Sequence, residues 1–230
     1  MGRIDFLHNR HRGERCVLVA NGPSLNNMDL SFLRDEITIG LNKIFLGLRK
    51  FHFYPRYYVA VNEKVVTQCV HEIKALSCVK FISSRSGNLV PESALTYHIN
   101  TTNPPARFSS NIANGVHEGW TVTYVALQIA YFLGFSEVIL IGLDHRYDFV
   151  GQPNEARKMD GPDPNHFSES YFGHGQAWDN PDLLNSEESY RIARAEFEKD
   201  GRRIVDATLN GACTIFEKKD YHQIFGATFA

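Results

Sequence analysis

The chain is predicted to be an α/β protein: a Rossmann-like doubly wound fold with a mostly parallel sheet and a long lid insertion. Three observations carry this expectation. Short apolar runs rich in β-branched residues recur along the sequence, as strands buried on both faces do. Segments of helical spacing lie between them. Three of the runs stop at an asparagine and a fourth at an aspartate. In open α/β sheets, ligands bind beyond the carboxyl ends of the strands, so polar residues at these positions are expected to line one crevice.

Taken in order, residues 1–14 are basic and polar and are expected to form a loose arm or a short helix. Residues 16–20 are the first strand, closed by the turn formers Asn21, Gly22, Pro23 and Ser24. Ser24 or Asn27 is then placed to cap a helix through Leu30–Leu33. Residues 37–41 and 57–61 repeat the strand pattern and end at Asn42 and Asn62. Residues 63–76 carry Val66, Val70, Ile73 and Leu76 at helical spacing. Residues 79–82 and 95–99 read as two further strands. Residues 121–133 read as a buried helix closed by Gly134, and 137–144, ending in Asp144, is the strongest strand in the chain. Residues 146–185 hold four prolines and four glycines and show little periodicity. A structureless stretch of that length inside a domain is uncommon unless it works as a lid. Residues 186–201 are helical, 203–208 form a last strand, and the tail from 216 is mixed. The expected organisation is one nucleotide-binding domain over 1–230 with the lid at about 146–185.

Composition narrows the functional classes. The 230 residues are 43% hydrophobic and 22% charged, with 24 basic and 26 acidic side chains. Such a chain can bury a substantial core and lacks the positive field expected of a nucleic-acid binder. No run of 18 apolar residues suggests a transmembrane helix, and the N-terminus lacks the apolar centre of a signal peptide. Cys16, Cys69, Cys78 and Cys213 are widely spaced and read as free thiols in a reducing compartment. A cytoplasmic location is therefore expected, with peripheral contact at an inner membrane and homo-oligomerisation left open.

The residues that could carry chemistry cluster at the strand ends and in the lid. Gly22 would let a ligand approach the backbone, and a helix starting near Ser24 would offer free N–H groups to a phosphate. The amides of Asn21, Asn42 and Asn62 can donate and accept, which suits a ribose, a base edge or a phosphate. Asp144, just after Gly142, could accept from a base amino group or a ribose. Each also has a plain structural reading as a cap or an Asx turn. In the lid, His166 and His174 are candidate general bases, and the hydroxyl of Tyr171 could steady a leaving phosphate. The chain has neither GxGxxG nor GxxxxGK[ST], no GxSxG elbow and no HExxH or paired-cysteine spacing. No metal site and no resident cofactor are expected.

Two family resemblances follow from these motifs. Asn21-Gly-Pro-Ser-Leu25 resembles the GNGPSL opening of the bacterial lipooligosaccharide sialyltransferases. The stretch 133–144 is similar to their LGYKEIYLSGID, and Tyr171-Phe-Gly-His174 is similar to their YIGH. A broader resemblance, carried by Asn165-His-Phe, Tyr171-Phe-Gly and 206–211, is to a large bacterial family similar to archaeal 6-hydroxymethylpterin diphosphokinase and to the flagellin nonulosonate transferases. The first resemblance implies metal-independent inverting transfer of a CMP-activated, sialic-acid-like nonulosonate to a surface glycan or glycolipid. It implies that His174 acts as base and that Tyr171 and Tyr147 hold the departing phosphate. Asn21, Gly22, Ser24, Asn42 and Asn62 would bind the nucleotide, with Gly142 and Asp144 on its cytosine side. The family's Thr-Ser pair falls on Thr121 and Val122, with Thr123 able to substitute. The second resemblance implies an alternative, ATP-dependent pterin diphosphokinase chemistry, which wants Mg²⁺. A nucleotide-binding accessory protein is the third reading.

Overall fold

The structure, a computed structural model, describes residues 3–103 and 106–226. In chain order the strands are β1 (Arg15–Val19), β2 (Thr38–Leu41), β3 (Tyr57–Ala60), β4 (Val79–Ser83), β5 (Thr96–Ile99), β6 (Thr101–Thr102), β7 (Val116–His117), β8 (Glu137–Ile141), β9 (Ala156–Lys158), β10 (Ala177–Asp179), β11 (Arg203–Asp206) and β12 (Glu217–Lys218). The α-helices are α1 (Glu63–Gln68), α2 (Val70–Ala75), α3 (Val122–Leu133), α4 (Leu183–Lys199) and α5 (Tyr221–Phe225).

Eight strands form one sheet in the order β12-β11-β8-β1-β2-β3-β4-β5, and every pairing in it is parallel. Alternate side chains of each strand face opposite sides, so the apolar runs feed two cores. Cys16, Leu18, Leu140 and Ile204 pack with Tyr124, Leu127 and Phe132 of α3 and Tyr190 and Phe197 of α4. Val17, Val19, Ile141 and Val205 pack on the other face with Leu25, Leu33, Val66, Ile73 and Tyr221. Covering both faces is what makes continuous apolar strands stable. The expected α/β doubly wound sheet is present, and its main sheet is wholly parallel.

The helix α3 follows the sequence closely. The hydroxyl of Thr121 caps it by accepting from the Thr123 amide (3.3 Å). Gly134 ends it at φ 93°, a conformation a side chain resists. The N-terminal arm explains how the end is sealed. After a 3₁₀ turn (Arg3–Leu7), the amides of Asn9, His11 and Gly13 donate to the carbonyls of Phe132 (2.9 Å), Leu133 (2.8 Å) and Gly134 (3.2 Å). Those carbonyls have no partner inside the helix. His11 is buried, stacked on Phe135 at 4.7 Å, with its Nε2 at 2.6 Å from the Tyr57 hydroxyl. The described part of the arm is thus a packed cap rather than a loose segment; residues 1 and 2 lie outside the described residues.

Three further expectations are corrected. No α-helix follows Ser24; two 3₁₀ turns (Pro23–Asn27 and Ser31–Arg34) link β1 to β2. Pro23 starts the first turn, and Met28 is extended (φ −114°, ψ 142°), which stops it. The helix expected over 63–76 is broken at Cys69 (φ −128°) into α1 and α2, in a region where Val65, Val66, Thr67 and Val70 lower helical propensity. The segment 146–185 is not structureless. It contains the antiparallel β9–β10 pair and buries Phe167, Tyr171, Phe172 and Trp178 in the second core.

All four cysteines are free and buried. No helix among the described residues is long and apolar enough to cross a membrane. Replacing Tyr57 by Phe removes the partner of the buried His11 ring nitrogen; we expect a loss of about 1–3 kcal/mol in denaturant-monitored stability. An unchanged unfolding midpoint would show that the arm is not held through this bond.

Candidate active site

The order of the sheet reverses at β1: the chain runs outward through β2–β5 on one side and returns as β8 and β11 on the other. A switch point of this kind opens a crevice above the carboxyl ends of the strands. Here the two rims are tied together. The Gly22 amide donates to the Gly142 carbonyl (2.8 Å). Asp144 accepts from the Ser24 amide at 3.0 Å and from the Ser24 hydroxyl at 2.7 Å. Burial pushes the Asp144 carboxyl above the usual carboxylate range, with the two Ser24 bonds opposing the shift.

This geometry revises two sequence expectations. The glycine at 22 is required by Asp144: a Cβ there would lie 1.8 Å from Asp144 Oδ2. The Ser24 N–H, expected to face a phosphate, is already satisfied by the same carboxylate. The turn is closed around an internal anion instead of waiting for an external one.

Above the clamp lies an inner chamber of about 110 Å³ that opens into an outer cavity of about 620 Å³. Asn42, Trp120, Thr121, Tyr147, His166 and Tyr171 line both. Asn21, Gly22, Thr123, Gly142 and Asp144 line the chamber, and Asn62 lines the outer cavity. The outer volume falls in the range of small-molecule sites. The chamber holds about one ring-sized group, so a larger ligand must extend outward.

The two inner amides present acceptors. Asn21 donates through Nδ2 to the Leu41 carbonyl (3.1 Å), and its buried Oδ1 has no protein partner. Asn42 bonds the Tyr171 hydroxyl, and its Oδ1 is likewise unpartnered. Buried acceptors without partners are costly unless a ligand satisfies them. Asn62 plays the plainer part: its Oδ1 caps α1 by accepting from the amides of Lys64 (2.9 Å) and Val65 (3.3 Å). Thr121 lies 3.4 Å from the Tyr190 hydroxyl. Asn42 (φ 45°), Trp120 (φ 60°) and His145 (φ 52°) are all left-handed, and strain of this kind concentrates at functional sites.

The insertion supplies the other wall. The Phe167 amide donates to the Asn21 carbonyl (2.9 Å), and Asn26 Nδ2 donates to the Phe167 carbonyl (2.9 Å). The insertion is thereby tied to the β1 turn, and His166 is held over the crevice. Its ring stacks on Tyr171 at 3.8 Å and 1°. Its Nδ1 bonds Oδ2 of the buried Asp163 at 2.8 Å. Asp163 is itself fixed by the amides of Asn165 (2.8 Å) and Phe172 (3.2 Å). A carboxylate on one ring nitrogen sets the tautomer and leaves the other nitrogen to take a proton. A second such pair, His145 Nε2 with Glu187 Oε1 at 3.1 Å, lies on the chamber side.

The tyrosines differ. The Tyr171 hydroxyl is buried and takes hydrogen bonds from Asn42 and from the Lys43 amide (3.4 Å). Burial raises its pKa far above that of a free phenol. Tyr147 is half-buried and its hydroxyl has no hydrogen bond to the described residues; burial pushes its pKa up to about 12. It is the phenol positioned to donate to a ligand.

His174 stands apart. It is exposed and belongs to neither cavity lining. The YxGH motif thus brings Tyr171 to the crevice without its histidine. Asp163, Trp120, Glu187 and Lys43 were not anticipated as site residues. Of these, Asp163 had a legible signal: it stands three residues before His166. No group of three or more His, Cys, Asp or Glu side chains able to hold a metal ion is present among the described residues.

The sheet and its switch point define an α/β fold built on a parallel sheet with a polar crevice at its carboxyl edge. The chain belongs to the MptE-like family: the model described as 6-hydroxymethylpterin diphosphokinase MptE-like matches residues 2–149. The matched stretch covers β1–β8 and the clamp, and stops inside the insertion. The fold is also similar to the structure of MAf glycosyltransferase from Magnetospirillum magneticum AMB-1, with a TM-score of 0.59 and 14% identity over 96% of this chain. The chain spans about a third (35%) of that protein's length. No curated protein matches the sequence.

Gly22→Ala tests the clamp. The added methyl cannot coexist with the Asp144 carboxylate, so we expect a loss of about 2 kcal/mol or more. A co-substitution Asp144→Ala should restore part of it in a double-mutant cycle; strict additivity would place the clash elsewhere.

Proposed function

We propose that the protein is a metal-independent, inverting glycosyltransferase that uses a CMP-activated nonulosonate and a glycan or glycolipid acceptor. The observation that carries the reading is the His166–Asp163 pair stacked on Tyr171 at the junction of the two cavities. It supports a proton acceptor where the sugar end of a donor that extends out of the chamber would meet an acceptor in the outer cavity. The fold similarity to a glycosyltransferase is consistent with it.

In this mechanism the acceptor hydroxyl oxygen forms a bond to the anomeric carbon as the bond from that carbon to the phosphate oxygen breaks. The electron pair leaves with CMP, and the acceptor's proton passes to His166 Nε2. Asp163 stabilises the resulting imidazolium. Tyr147 donates to the leaving phosphate as its charge develops. Asn21 and Asn42 offer acceptors to amino or hydroxyl groups of the nucleotide, and Asn62, Thr121 and Thr123 border the space left for the sugar. His174 has no step here, because its side chain lies outside the crevice.

The family description supports a second reading, ATP-dependent diphosphoryl transfer to a hydroxymethylpterin. The chamber is lined by no lysine or arginine, and the two cations of the outer cavity, Lys64 and Arg85, are already paired with Asp179 and Glu118, which favours glycosyl over diphosphoryl transfer.

The test is release of CMP from CMP-nonulosonates with acceptor glycolipid, beside release of AMP from ATP with hydroxymethylpterin and Mg²⁺. We expect the first activity, lowered about 10²-fold or more by His166→Gln and changed less than about threefold by His174→Ala, which removes an exposed side chain. Mg²⁺-dependent AMP release without CMP release would establish the second reading. Loss of transfer in the His174 variant alone would return the base to the YxGH motif.

A further inference from the structure

Lys43 follows Asn42 at the end of β2, and its side chain runs under the insertion instead of out to solvent. The residue is 2% exposed. Its ammonium donates to the Tyr171 main-chain carbonyl (2.6 Å), Gln68 Oε1 (2.9 Å) and Gln176 Oε1 (2.9 Å). All three acceptors are neutral. The nitrogen also sits 4.5 Å from the centroid of Phe172 and 5.5 Å from that of Tyr171; both of these residues line the outer cavity, and Lys43 itself does not. Among the described residues the ammonium forms no ion pair. Asp163 and Glu72 act on it from a distance, and Asp163 is already committed to His166 and two amides.

Two cations line the outer cavity and both are paired, whereas Arg146, which acts on Asp144 from a distance, is exposed and screened by solvent. Lys64 pairs with Asp179, and Arg85 pairs with Glu118 at 2.5 Å. The chamber itself has no lysine or arginine in its lining. A buried charge without a carboxylate partner is costly to keep, and its field is poorly screened. Burial draws the Lys43 pKa below that of a free lysine; three acceptors and two ring faces oppose that shift.

We propose that Lys43 supplies, through the Tyr171–Phe172 wall and without touching the ligand, the positive charge that selects an anionic ligand in the crevice. The inference rests on the nucleotide reading above and adds the source of its phosphate preference. As a positioning residue Lys43 also bolts Tyr171 in place, so its test must separate charge from packing.

Calorimetric titration of the full chain with CMP and with cytidine does so. Lys43→Met keeps the length and removes the charge. We expect CMP affinity to fall about tenfold with cytidine affinity held within about twofold, and Lys43→Arg to regain most of the CMP affinity, since the charge is kept. Equal losses for both ligands, or no loss for either, overturn the proposal while leaving the nucleotide reading standing. A wild-type chain that binds neither CMP nor AMP overturns that reading, and this inference with it. If the methionine variant does not fold, ammonium NMR of wild-type protein decides. The buried Lys80, bonded to the Leu76 and Cys78 carbonyls at the opposite end of the strands, is the internal control. The Lys43 signal should move with CMP and not with cytidine while Lys80 stays still; a Lys43 signal indifferent to CMP overturns the proposal.

Discussion

The crevice depends on the contact between Asp144 and the turn at Ser24. β1 and β8 are neighbours in the sheet, but pairing alone leaves their ends free to diverge where the chain leaves the ladder. The carboxylate closes them by taking both the amide and the hydroxyl of Ser24. Only a residue without a side chain fits beside it at 22. With these rims fixed, Asn21 and Asn42 both line one chamber, each with a buried side-chain oxygen that lacks a protein partner, and the carbonyl of Asn21 holds Phe167 of the insertion. The insertion's position is thus a consequence of the clamp, and the position of His166 a consequence of the insertion.

In the proposed mechanism the site separates recognition from chemistry by depth. Near the strand ends the groups are amides, hydroxyls and one carboxylate of raised pKa. At the junction with the outer cavity are the aromatic wall and a histidine whose tautomer is set by Asp163. Charge is kept behind this surface, at Lys43, or paired at the mouth, at Lys64 and Arg85. A buried, preorganised field of this kind needs little rearrangement as charge develops on a leaving group. It also explains how a chamber lined without lysine or arginine can be suited to an anion.

The sheet was legible because strand runs such as 16–20 and 137–144 are continuous in sequence and their burial on both faces leaves one pattern. The convergence of Asn21, Asn42 and Asp144 was legible for the same reason, since equivalent strand ends share one edge of a parallel sheet. What stayed hidden depends on contacts distant in sequence. The helix expected after Ser24 gave way to 3₁₀ turns, the first of which is stopped by the extended backbone of Met28, and the tie of Ser24 to Asp144, 120 residues away, had no signal along the chain. The insertion carried no periodicity, since its order comes from single polar anchors such as Asp163, Asn165 and Asn180. The histidine of the YxGH motif was favoured over His166 because a motif records spacing along the chain. The stacking of His166 on Tyr171 and its bond to Asp163 are set by folding.

A crystal structure of the chain with CMP bound tests the central claim most directly. The account predicts the nucleotide in the strand-end crevice, with one ring in the inner chamber against Asn21 and Asn42. It predicts the phosphate within hydrogen-bond reach of Tyr147, and His166 Nε2 facing the outer cavity. CMP ordered at another surface, or an empty crevice at saturating CMP, would contradict it.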